Sequence, residues 1–290
     1  MQFAGGKIEK LTPFLGAVVT GVDLRQALGD MTRDAFLRVV SEHGMLVFRG
    51  QQLQPDDFAA ISHFCGELEH HVLDQYRMDA HPEIYVISNI VEDGVPLGNP
   101  RDGFGWHTDQ SYLARPTAYT LLYGAQTPEE GADTLFADTC GAYERLEPQL
   151  RKAIAQLRGV HSYMYMRTGN ATYIRDNAVS AAPSGAQVER VPDVIHPLVR
   201  TNPSTGRRSL YLGGDCLAAI EGMEPASARA LIDTLFEAAL EPEFQLRHQW
   251  RQGDLVIWDN RGTMHTATEY DREKFRRLIW RTSVRGEAPQ

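Results

Sequence analysis

The feature that most restricts the fold of this chain is a succession of short β-type runs, each closed within a few residues by turn chemistry. "GAVVTGVDL" and "GMLVFRG" come first. "EIYVISNI", "AYTLLYGAQ", "DTLFAD", "VIHPLV", "RSLYLGG", "FQLRHQW", "DLVIWDN" and "RLIWRTSV" follow. Short runs rich in Val, Ile, Leu and aromatics between Gly, Asn, Asp and Pro read as strands, and many of them in one chain predict a sandwich or barrel. "RTNPSTGRRS" has the turn chemistry of a hairpin loop. Helical patterns are fewer. "MTRDAFLRVVSEHG" sets Phe36, Val39 and Val40 at helical spacing and stops on Gly44, while "QPDDFAAISHFCG" opens on Pro55 and two acids. "AYERLEPQLRKAIAQL" and "PASARALIDTLFEAALE" interrupt the strand series as further helices. The expectation is a mainly β protein with flanking helices.

Nothing in the composition divides the chain, so residues 1–290 are read as one domain. The least patterned stretch, "MRTGNATYIRDNAVSAAPSGAQVERVPD", exceeds the usual length of a structureless loop, and residues 167–193 are expected to form a mobile lid. The net charge of -9 argues against nucleic acid, which would need clustered Lys and Arg along a groove. The one dense basic cluster, "REKFRRLIWR", reads as a local anion site. Cys65, Cys140 and Cys216 are odd in number and form no C-x-x-C pair, so neither a disulfide framework nor a thiolate zinc site is indicated. With no signal-peptide pattern in "MQFAGGKIEK" and no apolar run long enough for a membrane span, the expectation is a cytoplasmic protein.

Against that background "GFGWHTDQSY" stands out. On a strand, residues two apart share a face, so His107 and Asp109 would project together with Thr108 turned away. A lone H-x-D is a weak motif, and a polar patch on an ordinary strand would account for it. The rival pair His81 and Glu83 flanks Pro82, which sits poorly in a ladder and predicts a loop. His265, beyond the strand "DLVIW" and the turn "DNRGT", supplies a third donor. Two imidazoles and one carboxylate leave three metal positions open, as in non-haem Fe(II) oxygenases, whereas zinc favours an all-His or His/Cys set. Further on, Arg277, Ile279 and Arg281 would share one strand face. An inward arginine is costly unless it meets an anion, and its planar fork suits a carboxylate; a solvated strand edge is the plain alternative.

Taken in order, "LGAVVTGVDL", "GMLVFRGQQL", "FGWHTDQSY", "GADTLFADTCGAYERL", "IHPLVRTNPSTGRRSLYLGG", "DLVIWDNRGTMHTA" and "RRLIWRTSV" resemble the taurine dioxygenase and 2,4-dichlorophenoxyacetate dioxygenase family of Fe(II)- and 2-oxoglutarate-dependent oxygenases. The resemblance runs through nearly the whole chain. It implies a double-stranded β-helix, the jelly roll, with His107, Asp109 and His265 as iron ligands. Thr134 corresponds to the family threonine that bonds the far carboxylate of 2-oxoglutarate. Arg277 matches the arginine that pairs with it, although counting forward from His265 could select Arg276. Arg281 falls where relatives meet the acidic group of the substrate, and His71 where a histidine contacts it. Two positions depart from the pattern: Gly213 stands where many relatives have asparagine, and "GFG" lacks an asparagine found upstream of the motif in taurine dioxygenase. Both put taurine itself in doubt.

What the resemblance implies is hydroxylation of a C–H bond in a small organic acid, carboxylate or sulfonate. O2 and 2-oxoglutarate are consumed, and succinate and CO2 released. The carboxylate at Asp109 argues against halogenation, which in related enzymes needs a non-ligating residue there. Tyr112, Tyr163 and Tyr165 are candidates to line the apolar part of the pocket. Desaturation or another oxidation at the same iron remains open, as does a non-catalytic jelly-roll module that senses a small acid. The expected partners are small molecules and further copies of the chain, with no nucleic acid and no membrane.

Overall fold

The computed structural model of the protein describes residues 2–3, 5–27, 32–167 and 184–290. Eight strands make the frame of the site: β1 (Met45–Phe48), β2 (His81–Ser88), β3 (Thr117–Gln126), β4 (Thr134–Asp138), β5 (Gln245–His248), β6 (Leu255–Asp259), β7 (Thr263–Ala267) and β8 (Leu278–Arg285). Within a ten-stranded sheet they lie in the order β1-β6-β3-β8-β2, and a smaller sheet runs β5-β4-β7. The two sheets form a jelly roll. Every pairing among these eight is antiparallel.

The inside and outside of the roll follow from the period of two along each strand. Met45, Val47, Leu122, Val256, Trp258 and Ile279 point inward and pack with Phe136 of the facing sheet. Their neighbours Leu46, Phe48, Leu121, Leu255, Ile257 and Trp280 point outward. There they meet Phe36 and Val40 of α1 (Arg33–His43) and Phe58 and Ile61 of α2 (Pro55–Cys65). A sheet covered on both faces gains nothing from alternating polar residues, so its strands read as unbroken apolar runs. The helices end where local chemistry ends them. The Thr32 hydroxyl accepts from the Ala35 N–H at 3.3 Å, and Gly44 takes φ 73° just past α1. Pro55 opens α2, and the Asp57 carboxylate accepts from the Gln54 N–H at 2.9 Å.

Three sequence expectations are corrected. "AYERLEPQLRKAIAQL" is two short helices, Thr139–Arg145 and Pro148–Ile154. Pro148 excludes the preceding residue from helical backbone, and Glu147 takes ψ 137°. "VIHPLV" divides at Leu198 into Val194–Pro197 and Val199–Thr201. Pro82 lies in a strand, not a loop: pairing of β2 with β8 begins at Tyr85, and on the other edge Pro82 falls in the register shift between the pairs Met78↔His81 and Arg77↔Tyr85, so its missing N–H removes no ladder bond. Tyr163 and Tyr165 lie on the short helix Tyr163–Arg167. The hairpin assigned to "RTNPSTGRRS" is present, with Val199 opposite Leu210. The proposed lid falls largely on residues 168–183, outside the described residues. Among the described residues no helix is long and apolar enough to cross a membrane.

Phe136 is fully buried between the sheets, 5.9 Å from the ring of His265. Phe136→Ala should therefore cost about 3–5 kcal/mol, read as a lowered urea midpoint with an unchanged slope.

Candidate active site

His265 sits in β7, its side chain on the inner face. The backbone of His107 joins it through two hydrogen bonds: His107 N–H to His265 C=O at 3.0 Å, and His265 N–H to His107 C=O at 2.9 Å. This is an isolated bridge, so His107 and Asp109 do not lie on a strand as the spacing suggested. Gly103 and Gly105, at φ 86° and 85°, and Gln110, at φ 50°, turn the chain on either side and prevent a ladder from extending. The one bridge suffices, because extended backbone around His107 still sends both side chains the same way. Gly214, at φ 64°, packs against this loop so closely that a Cβ would come within 2.6 Å of His107 Cα.

Donor atoms of His107, Asp109 and His265 all lie within 4.8 Å of one another. His107 Nε2 is 3.7 Å from Asp109 Oδ1, and His265 Nε2 is 3.7 Å from Asp109 Oδ2. His107 Nδ1 lies 2.7 Å from the Gly105 carbonyl, which can only accept. The proton therefore resides on Nδ1, and the Nε2 lone pair faces the other donors. His265 is set by packing instead: its ring lies 4.7 Å from that of Trp258, and burial pushes its pKa down to about 3. A neutral imidazole in that position is what a metal requires.

Asp109 is almost fully buried and is held from three sides. Thr120 Oγ1 donates to Oδ2 at 2.6 Å, Arg281 Nη2 donates to Oδ1 at 2.6 Å, and its own N–H donates to Asn260 Oδ1 at 3.2 Å. Asn260 in turn accepts from the Trp258 indole at 3.1 Å and donates to Thr120 at 2.9 Å. Burial acts to raise the Asp109 pKa, but the Arg281 guanidinium and the two imidazoles hold it well below the usual carboxylate range. Asn260, Thr120 and Asp102 had no local motif to expose them. Asp102 meets Arg281 Nη1 at 3.3 Å.

His107 and His265 open onto a cavity lined also by Asp102, Leu122, Thr134, Trp258, Arg277 and Arg281, with Asp109 buried behind them. Arg277 is buried; among the described residues no carboxylate pairs with it, and its Nε has no partner. Burial presses its pKa below the ordinary value, countered by Tyr270 and Asp102. Thr134 accepts a hydrogen bond from the Trp250 indole at 3.0 Å. Arg276 points away, exposed, 3.8 Å from Glu92, whereas Arg277 lines the cavity. His71 lies beyond the carboxylate side of this cluster, its ring 3.9 Å from Tyr85, and burial holds its pKa well below the usual value. Tyr112 and Tyr163 pack on each other with ring centres 4.8 Å apart. Gly213 takes φ 63° with the ring of His161 against its open side, so an asparagine there would displace that ring.

Residues 7–283 match the sequence profile described as taurine catabolism dioxygenase TauD, TfdA family. The chain belongs to this family. It is 34% identical over 286 residues to the alpha-ketoglutarate-dependent 2,4-dichlorophenoxyacetate dioxygenase of Cupriavidus pinatubonensis, covering 94% of this chain and 96% of that one. With pentalenolactone F synthase of Streptomyces arenae it shares 32% over 268 residues, 89% of this chain and 88% of the relative. The crystal structure of a taurine dioxygenase from Burkholderia xenovorans superposes with a TM-score of 0.80 at 32% identity, covering 98% of this chain and 90% of that one. The protein is thus an alpha-ketoglutarate (2-oxoglutarate)-dependent dioxygenase, and its His/Asp/His group has the donor chemistry of a metal site.

Asn260 touches no metal donor by its own side chain except through Asp109 N–H and Thr120. Asn260→Ala should lower metal affinity about 10- to 100-fold while the far-ultraviolet circular dichroism stays unchanged, as read by titration of the apoprotein with Fe(II) or Mn(II) under nitrogen.

Proposed function

We propose that His107, Asp109 and His265 hold one Fe(II), that Arg277 and Thr134 hold the far carboxylate of 2-oxoglutarate, and that the enzyme hydroxylates a C–H bond of a small organic acid. The observation that carries this reading is a converging His/Asp/His group whose two imidazoles share a cavity with a buried arginine that has no carboxylate partner among the described residues. A buried guanidinium without a carboxylate partner is costly and is retained where an anion completes it. When bound, the metal supplies activation of O2 coupled to oxidative decarboxylation of 2-oxoglutarate, with succinate and CO2 as products.

The side chains have the remaining tasks. His107 offers Nε2 because Gly105 fixes its proton on the other nitrogen. Asp109 is kept ionised by Arg281 and oriented by Thr120. Arg277 and Thr134 fix the co-substrate at the end away from the metal, so that one orientation is favoured. Leu122, Ile87 and Trp258 give the cavity dry walls, which limits side reactions. In this reading the chain works as one domain and no side chain serves as nucleophile.

Arg281 supports an acidic substrate, with a condition attached. Its guanidinium is already shared between Asp109 and Asp102, and the Asp109 contact belongs to the metal site. An incoming carboxylate or sulfonate must take the Nη1 donor from Asp102. The relatives' names include a phenoxyacetate and a sulfonate dioxygenase, both consistent with an anion there. His71 stands on the same side and is a further substrate contact in this reading.

A panel of small carboxylates and sulfonates, scored by succinate release above the substrate-free background, tests the assignment; an enzyme coupled only to neutral or cationic compounds would remove the acid class. Arg277→Leu should weaken 2-oxoglutarate binding at least tenfold, whereas Arg276→Leu should leave it within about twofold. The reverse order would put the co-substrate on the wrong arginine. Asp102→Asn should lower the KM for an acidic substrate, since it removes the competing carboxylate. Arg281→Ala should abolish turnover and must be read beside metal titration, because that guanidinium also steadies Asp109.

A further inference from the structure

Trp250 follows β5 by two residues and closes the wall behind Thr134. Its indole N–H donates to Thr134 Oγ1 at 3.0 Å, and both residues are buried. A threonine hydroxyl has a single proton. With one lone pair already engaged by the indole, the proton is directed away from Trp250. Thr134 is paired on both sides, opposite His248 of β5 and Ala267 of β7, so its neighbouring carbonyls serve the ladders. Among the described residues no acceptor is recorded for the hydroxyl proton, and the open direction is the cavity shared with Arg277.

We propose that Trp250 is a positioning residue for co-substrate selection: it polarises the Thr134 hydroxyl as an obligate donor toward a carboxylate and disfavours any ligand that would offer a donor at that place. This rests on the reading that Thr134 and Arg277 hold the far carboxylate of 2-oxoglutarate. The indole itself is fixed from behind. Its ring stands edge-on to His248, centres 4.7 Å apart at 86°. Gly124 leaves the space for it, since a Cβ there would come 3.2 Å from the indole Cε3. The turn from Arg251 to Asp254 is clamped by the Asp254 carboxylate, which accepts from the Arg251 N–H at 2.9 Å and pairs with Arg49. A rigid donor of this kind imposes polarity without reaching the ligand.

The test is a double-mutant cycle read by calorimetry of 2-oxoglutarate binding to the Fe(II)-loaded protein under nitrogen. Trp250→Phe keeps the ring and removes the N–H, and it should weaken binding about five- to tenfold, the usual worth of one buried hydrogen bond. Thr134→Val should weaken binding at least as much, and adding Trp250→Phe to it should cost nothing further. Thr134→Ser, which keeps the hydroxyl, should keep the sensitivity to Trp250→Phe. Should Trp250→Phe bind as tightly as the wild type, or lose the same factor with valine at position 134, the indole acts only by packing and the proposal is overturned. Wild-type affinity in Thr134→Val is a different pattern: it removes Thr134 from the co-substrate site and the proposal falls with that reading. If Trp250→Phe does not fold, the indole 15N–1H resonance that Thr134→Val displaces should move when the wild type binds 2-oxoglutarate; a resonance that stays fixed overturns the proposal.

Discussion

A buried carboxylate must be compensated, and much of this active site is the compensation of Asp109. Leaving it unpaired in the roll would cost on the order of several kcal/mol. Arg281 from β8 and Thr120 from β3 donate to it, and Asn260 after β6 fixes the residue by accepting from the Asp109 backbone N–H. These elements are neighbours in one sheet, in the order β6-β3-β8. Asp109 therefore ties together three strands whose register is already set by apolar side chains on their two faces. If the register of β8 slipped by one residue, Arg281 would turn outward into the layer under α2 and Ile279 would leave the roll. The hydrophobic pattern and the ionic cluster demand the same register, so each enforces the other.

The second tie is the backbone bridge between His107 and His265. It links the glycine-rich loop to the smaller sheet, while Asp109 on the same loop is tied to the larger one. The three donors thus close the mouth of the roll between its two sheets. Chemistry placed at that seam gains a dry floor from Trp258 and Phe136 without needing a deep pocket, and a short polar loop can hold it because the strands underneath are rigid.

The parts of this arrangement that were legible in the sequence are those with a short reach. The helix stop at Gly44, the helix start at Pro55, the strand runs and the H-x-D spacing all depend on residues a few positions apart. The expectation of a strand at His107 was incorrect, yet the side-chain directions were right, since extended backbone orients alternate residues alike whether or not a ladder forms. Contacts made across the chain gave no local signal. Trp250 reaches Thr134 over 116 positions, and Asp102 reaches Arg281 over 179. A tryptophan two residues past a strand looks like core packing, and an aspartate beside an arginine and a glycine looks like a turn.

The two arginines of β8 show why those distant contacts matter for function. They lie four residues apart on one inner face and began as equivalent candidates for an anion. Arg281 meets two carboxylates, while among the described residues Arg277 meets none. The uncompensated cation is thereby confined to one end of the cavity, where a single dicarboxylate end can neutralise it. At the other end the charge is already balanced, and an acid enters there only by exchange with Asp102. With the co-substrate at Arg277 and the substrate at Arg281, as proposed, such an asymmetry would favour filling in a fixed order: the co-substrate first, where the electrostatic gain is greatest, and then the substrate, whose recognition would depend on exchanging partners and on shape. A cavity with two equally unpaired arginines would accept a small dicarboxylate in either orientation; neutralising one of them in advance is what gives this cavity a direction.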